Sequence, residues 1–227
     1  MIKLTNDELQ VLLLSLKVGL FCVAVSLPPA TIMGWVLART SFRGKLLLDG
    51  LCHLPLVLPP VVTGYLLLLV FSRRSVLGAF LRDNLGLQIA FDWKGAVLAS
   101  AVVGFPLMLR SIRLAIESVD PRLERAARTL GAGPIRAFFT ITFRLALPGV
   151  LVGTLLSFAR SLGEFGATIT FVSNIAGETR TLPLAIYTFL NRPDGEDAVF
   201  RLVIVSVLIS FAALVSGEVL TRRMRRN

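Results

Sequence analysis

Residues 46–71 read LLLDGLCHLPLVLPPVVTGYLLLLVF. A helix needs about 20 mainly apolar residues to cross the hydrocarbon core of a bilayer, and this run is long enough. Its centre, Leu54-Pro55-Leu56-Val57-Leu58-Pro59-Pro60-Val61-Val62-Thr63-Gly64-Tyr65, holds three of the chain's 11 prolines. Each proline removes a backbone donor and bends a helix. The carbonyls so freed need partners in protein or water, because lipid offers none. Two readings follow: a kinked helix packed against its neighbours, or a broken helix lining a solvated path. Pro59, Pro60 and Gly64 are its candidate pathway residues.

Four further runs are long and apolar enough to span: 10–37, 95–117, 147–172 and 198–220. The first carries a weaker interruption at Pro28-Pro29. Five spans make an all-α membrane protein, with 1–227 as a single membrane domain. Composition agrees. Hydrophobic residues are 55% of the 227 and charged residues 17%, an apolar excess too large for one buried core and suited to a lipid-facing surface. The opening residues, with Lys3, Asp7 and Glu8, do not read as a signal peptide.

The net charge of +10 would suggest nucleic acid in a soluble domain. Here the basic residues lie between apolar runs, so they read as loop charges. Fourteen sit in 38–45, 110–147 and the tail, including Arg39, Arg43, Arg122, Arg136, Arg222 and Arg226; seven, Lys3 and Arg180 among them, sit in the opposite loops. The excess of Lys and Arg in cytoplasmic loops puts the first set inside, the N-terminus in the periplasm and the C-terminus in the cytoplasm. Cys22 and Cys52 lie in apolar segments and His53 is the only histidine, so neither a disulfide framework nor a metal site is expected.

The longest cytoplasmic connection, about 118–146, begins Asp120-Pro121-Arg122-Leu123-Glu124-Arg125-Ala126-Ala127-Arg128-Thr129-Leu130-Gly131-Ala132-Gly133-Pro134. Asp120 can cap a helix opened by Pro121. Gly131 or Gly133 can end it in the left-handed conformation, and Pro134 suits the first turn of a second helix leading into the fourth span. Ala126 and Ala127 leave a low surface that a partner can approach, ringed by Arg122, Arg125, Arg128 and Arg136. A plain solvated loop is the alternative.

This segment resembles the EAA loop of ABC importer permeases: Glu-Ala-Ala, three residues, Gly, nine residues, Ile, one residue, Leu-Pro. Ala126, Ala127, Gly131 and Ile141 match. Arg125 stands where the pattern has Glu, with Glu124 one place earlier, and Phe143-Arg144 stands in place of Leu-Pro. Two further stretches, 54–65 and Ala159-Arg160-Ser161-Leu162-Gly163-Glu164-Phe165-Gly166-Ala167-Thr168, resemble molybdate permeases, with tungstate and sulfate/thiosulfate permeases as alternatives. The resemblance implies the type I ABC importer permease fold, an inner-membrane location and alternating access that moves molybdate into the cytoplasm. It implies that Glu124, Arg125, Ala126, Ala127, Arg128, Thr129, Leu130, Gly131 and Ala132 form a coupling helix docked on an ATPase. The partners implied are a second copy of the chain, two ATP-binding cassette subunits, a periplasmic molybdate-binding protein and the oxyanion.

Ionisable groups inside a span are costly and point to function. Arg160 and Glu164 are four apart, which puts them on one helix face. They read either as a neutralising pair between packed helices or as pathway groups, Arg160 facing an oxyanion and Glu164 holding it. Ser161, Phe165 and Gly166 join them as candidate gate residues. Lys17 reads as snorkelling toward the outer surface. Asp49 and His53, one turn apart, read as packing residues. The short apolar stretch Thr181–Asn191 cannot span; it dips into an outer mouth or lies on the surface.

The chain has no G-x-x-x-x-G-K-S/T phosphate loop. ATP and Mg are expected in a partner, with no cofactor and no catalytic residue on this chain. A membrane enzyme would need a nucleophile–base or acid pair at depth, which Arg160 and Glu164 do not make. A stand-alone channel would have no use for the Ala126-Ala127 helix.

Overall fold

In the computed structural model, which describes residues 4–226, the chain is helical throughout. Lys3 lies outside the described residues, as do the side chains of Arg222, Arg223, Arg225 and Arg226. The elements are α1 (Asn6–Arg39), α2 (Lys45–Val57), α3 (Pro60–Phe71), α4 (Val76–Leu85), α5 (Trp93–Glu117), α6 (Pro121–Thr129), α7 (Pro134–Ala137), a π turn (Phe138–Thr142), α8 (Phe143–Leu162), α9 (Gly166–Val172), α10 (Leu182–Leu190) and α11 (Glu196–Arg226).

α5 is the axis of the bundle. Its small residues Gly95, Ala96, Ala99, Ser100 and Gly104 are buried, and small side chains let helices approach without a hydrophobic drive between them. A Cβ on Gly104 would lie 2.8 Å from Ser157 Oγ of α8, so the two backbones are nearly in contact there. α1 and α8 flank α5. One apolar cluster joins Val18, Ala96, Val103 and Phe171; a second joins Ala30, Met108, Ile112 and Val150. α11 is peripheral and leaves Phe200, Val207, Phe211 and Leu214 exposed, as a lipid-facing helix does.

Four contacts give the helix directions. Phe21, near the middle of α1, and Trp93 at the start of α5 meet edge-on at 5.4 Å, and Arg39 at the far end of α1 donates to the Val119 carbonyl just past α5. So α1 and α5 run parallel. Trp35 meets Phe138 ahead of α8, which makes α8 antiparallel to both. Arg201 donates to both carboxylate oxygens of the buried Glu8, which ties the start of α11 to the start of α1.

Among the described residues four helices are long and apolar enough to cross a membrane, or up to five when the bent pair α2–α3 counts as one crossing. Two of the expected spans are interrupted. The run 46–71 is two helices meeting at 113°. The residue before a proline is driven out of the helical region, and Leu58 (ψ 142) and Pro59 (ψ 133) are both extended. The run 147–172 is also divided. Helix continues without a gap from Pro134 to Leu162 and then stops. Gly163 leaves the helix, and Glu164 turns its carboxylate to accept from Ala167 N at 2.9 Å, capping α9 instead of extending α8. By contrast α1 passes through Pro28 and Pro29 unbroken over 34 residues.

Two other expectations are sharpened. Lys17 does not run free to the surface: its Nζ sits 3.5 Å from the Trp93 ring centroid, a cation–π contact worth about 0.5–2 kcal/mol. The stretch Thr181–Asn191 is mostly α10, packed on α1 and α11 through Leu182, Leu184 and Ala185. Ser15 Oγ accepts from its first amide, Leu182 N, at 2.7 Å.

Candidate functional site

Two places in the structure carry the candidate residues. The first is where the two interrupted helices meet. α3 packs on α9 so closely that a Cβ on Gly64 would lie 2.5 Å from the Ala167 carbonyl oxygen. On the other side of the seam, a Cβ on Gly166 would lie 2.9 Å from Pro60 Cβ. The break after Pro59 is thus seated against the break after Gly163. Nothing in the spacing of residues so far apart in sequence announces this contact.

The seam is polar at its centre. Glu164 is 2% exposed. Its Oε1 accepts from Ala167 N, and its Oε2 lies 2.7 Å from Arg160 Nη1, an ion pair whose N–H is not aligned as a hydrogen bond. The expected pairing is present, although Glu164 lies beyond the end of α8 and not on a continuous helix face. The carboxylate therefore does two things at once: it caps α9 and neutralises Arg160, whose side chain keeps 30% of its surface exposed. Near it, Ser161 is buried and donates back to Phe158, so it serves packing beside Gly19. The Phe165 ring lies 5.3 Å from the Tyr187 ring of α10.

Sequence reading passed over three residues here. Thr63 and Thr168 are buried with hydroxyls that have no partner among the described residues, an arrangement that costs free energy unless water or a ligand supplies one. Tyr187 sits in the stretch set aside as too short to span. Thr63 and Thr168 stand in the two quoted motif stretches, a signal available in the sequence; Tyr187 carried none.

The second place is α6. Asp120 Oδ1 accepts from Arg122 N at 2.8 Å, and Pro121 is the first helical residue, as expected. Gly131, at φ +89, ends the helix. Its amide bonds the Arg128 carbonyl, and Ala132 N bonds the Ala127 carbonyl, the paired pattern of a Schellman stop. Between the caps the helix buries no residue. Leu130 is 89% exposed, with Ile135 at 74%, and Arg122, Arg125, Ala126, Arg128, Thr129 and Arg136 are exposed around them. The helix thus presents exposed apolar side chains among arginines. Glu124 faces inward, accepting from Thr142 Oγ1 at 2.8 Å.

The Asp49–His53 pair belongs to neither place. His53 Nδ1 lies 2.8 Å from the Asp49 carbonyl, and Arg113 Nη1 donates to Asp49 Oδ2 at 2.9 Å. The group fastens α2 to α5.

Residues 30–226 match the family described as binding-protein-dependent transport system inner membrane component. The chain is 58% identical over 222 residues to the molybdenum transport system permease protein ModB of Escherichia coli (strain K12), covering 98% of this chain and 97% of that one. It is 34% identical over 194 residues to the sulfate transport system permease protein CysT of Salmonella typhimurium, covering 86% of this chain and 69% of the relative. Among solved structures, a bacterial alginate ABC transporter in complex with an alginate pentasaccharide-bound periplasmic protein superposes with a TM-score of 0.75 at 14% identity, over 97% of this chain and 80% of that one. That likeness establishes the fold.

Proposed function

The chain belongs to the family of binding-protein-dependent transport system inner membrane components, and on that premise we propose that it carries molybdate across the inner membrane as the permease subunit of an ABC importer. It is a multi-pass inner-membrane protein and a translocation subunit. The observation that carries the substrate is the 58% identity to a molybdenum permease across nearly the whole of both chains. The sulfate relative is markedly more distant.

The finer reading is as follows. α2 and α3 together make one bent crossing, which gives five, with the start of α1 in the periplasm and the end of α11 in the cytoplasm. The arginines around α6 and the arginine-rich tail support this orientation. Two copies of the chain enclose the path about a two-fold axis. Two ATP-hydrolysing subunits cover the exposed α6 patches, and a periplasmic binding protein delivers the oxyanion. ATP and Mg act in the partner; this chain supplies no phosphate loop. Closing of the ATPase pair draws the two α6 helices together and turns the path outward, and hydrolysis resets it, so the permease is a two-state element biased by its partner's ligand.

In this cycle the α3–α9 seam is the part that opens and closes. Pro59, Pro60, Gly64 and Gly166 permit backbone contact there, and Phe165 with Tyr187 closes one side. Arg160, half-exposed and held by Glu164, presents guanidinium donors of a kind suited to a tetrahedral dianion. Thr63 and Thr168 bring hydroxyls that a passing anion can use.

The test is ATP-dependent uptake of molybdate into vesicles that hold the chain with its ATPase and binding protein, in the presence of sulfate. Uptake that resists excess sulfate and is lost in Gly131→Asp is expected. Uptake blocked by modest sulfate would shift the substrate to sulfate. Absence of uptake of either anion, with ATP hydrolysis indifferent to the binding protein, would overturn the importer reading.

A further inference from the structure

Thr142 is set apart from the helical threonines that bond their own helix. Thr31, Thr140, Thr170 and Thr188 each donate to the carbonyl four residues back, the usual local bond of threonine in a helix. Thr142 is fully buried, and its hydroxyl donates instead to Glu124 Oε2 at 2.8 Å, across 18 residues of sequence. It stands at the end of the π turn, where Phe143 N reaches back five residues to the Phe138 carbonyl. A π turn holds one residue more than the regular helix and often marks a functional position.

The same N-terminal end of α6 is also gripped from α1. Arg39 Nη2 donates to the Val119 carbonyl at 2.7 Å. Val119 is buried and immediately precedes Asp120, the cap of α6. One turn earlier on α1, Trp35 packs edge-on against Phe138 at 6.2 Å. So the last turns of α1 touch the residue before α6 and the first residue of the π turn. α6 itself buries nothing. Among the described residues, Glu124–Thr142 is the one side-chain hydrogen bond that leaves α6 for another element.

We infer that Arg39, Glu124 and Thr142 are positioning residues for energy coupling: they fasten the N-terminal part of α6 to α1 and to the turn that leads into α8, so that α6 moves as one body with α1 and α8. This rests on the importer reading above. Without the clamp, displacement of α6 would be absorbed at Ser118–Asp120 and Gly131–Gly133, short connections able to take up backbone rotation. With it, the push is transmitted along α1 and along the unbroken helix from Pro134 to Leu162, which ends one residue before the Glu164 break. The same assignment gives Glu124 a role inside the chain, while the surface offered to a partner consists of Leu130, Ile135 and the arginines.

The test uses the permease assembled with its ATPase subunit and binding protein in vesicles. The readout is molybdate imported per ATP hydrolysed. Thr142→Val keeps the shape and removes the donor; Thr142→Ser keeps the donor. Arg39→Gln releases the Val119 carbonyl from its charged partner. Thr142→Val and Arg39→Gln are expected to assemble and to hydrolyse ATP in response to the binding protein, with the import ratio lowered about five- to tenfold, the scale of one charge-assisted hydrogen bond. Thr142→Ser should stay within about twofold of the unaltered chain, since the bond is kept. Unaltered ratios in both Thr142→Val and Arg39→Gln would overturn the assignment. A second measurement needs no substrate: amide hydrogen exchange over residues 121–130 of the purified permease. Exchange faster by about tenfold in Thr142→Val, and not in Thr142→Ser, is expected from loss of that bond; equal exchange in both overturns the clamp. If the unaltered assembly imports no molybdate, the importer reading fails, and the exchange experiment still decides whether α6 is clamped.

Discussion

Pro28-Pro29 and Pro59-Pro60 are the same dipeptide in runs of similar apolarity, and they end differently. α1 carries the first pair inside 34 continuous helical residues. At the second pair the backbone turns through 113°. Proline chemistry is identical in the two places: a missing donor, a fixed φ and a clash with the preceding turn. What differs is the packing. α1 lies along α5 and α8, and its two prolines are exposed. At Pro59-Pro60 the following helix is seated on α9, with Gly64 against the Ala167 carbonyl and Pro60 against Gly166. Prolines permit a break; the neighbour that the chain then meets determines whether one forms.

The largest effect should come from filling the seat. In Gly64→Leu the side chain enters the space of the Ala167 backbone, and overpacking against rigid backbone costs about 3 kcal/mol or more. Thermal unfolding of the detergent-solubilised permease should show a large drop in midpoint, and molybdate uptake should vanish. A Gly64→Leu permease as stable as the unaltered one would mean that α9 does not hold the bend.

Next in size is the opposite side of the seam. Arg160→Gln leaves the Glu164 carboxylate buried without its cation. Removing one member of a buried pair costs about 3–5 kcal/mol, and the partial exposure of Arg160 reduces this to about 2 kcal/mol. Glu164→Gln should be milder, about 1 kcal/mol, because an amide oxygen can still cap Ala167 N. Denaturant titration of both variants and of the double variant separates the pair from the cap. Unaltered stability in Arg160→Gln, with a loss in Glu164→Gln, would assign the effect to the cap alone.

Replacing the prolines themselves should matter less. In the double variant Pro59→Ala, Pro60→Ala, the bend should persist, since packing imposes it, with stability altered by about 1 kcal/mol through unfolded-state freedom. A spin-label distance between α2 and α3 that lengthens toward a straight helix would reverse that ordering of causes. The smallest change is expected for Pro28→Ala in α1. A helix donor is restored at an exposed position, so stability should be unchanged or rise by about 0.5 kcal/mol, and uptake should match the unaltered chain within about twofold. A marked loss of uptake would show that the exposed prolines of α1 take part in the transport cycle.

Much of this was legible early because it depends on local chemistry. Asp120, Pro121, Gly131 and Pro134 specify a capped, terminated and restarted helix by rules that act within a few residues, and the structure follows them. The Arg160–Glu164 pairing was legible from its spacing, although the helix expected to carry it ends at Leu162. Glu124 was singled out as a residue offered to a partner, and the structure turns it inward to Thr142. No local rule pairs a carboxylate with a hydroxyl 18 positions away. The same holds for Arg39 and Val119, which are 80 apart.

By itself the sequence determined that this is an all-helical chain with long apolar runs, a short polar capped helix between its third and fourth runs, and a strong excess of basic loop residues. Those features follow from solvent preference and backbone stereochemistry, which act on each segment separately. Only the tertiary structure decided that Pro59-Pro60 bends where Pro28-Pro29 does not, that Glu164 caps a new helix, and that α6 is clamped to α1 and α8. In each case the outcome turns on which distant surface comes within contact distance, and close packing, which rejects overlap of a few tenths of an ångström, then selects one backbone path among those the local sequence permits.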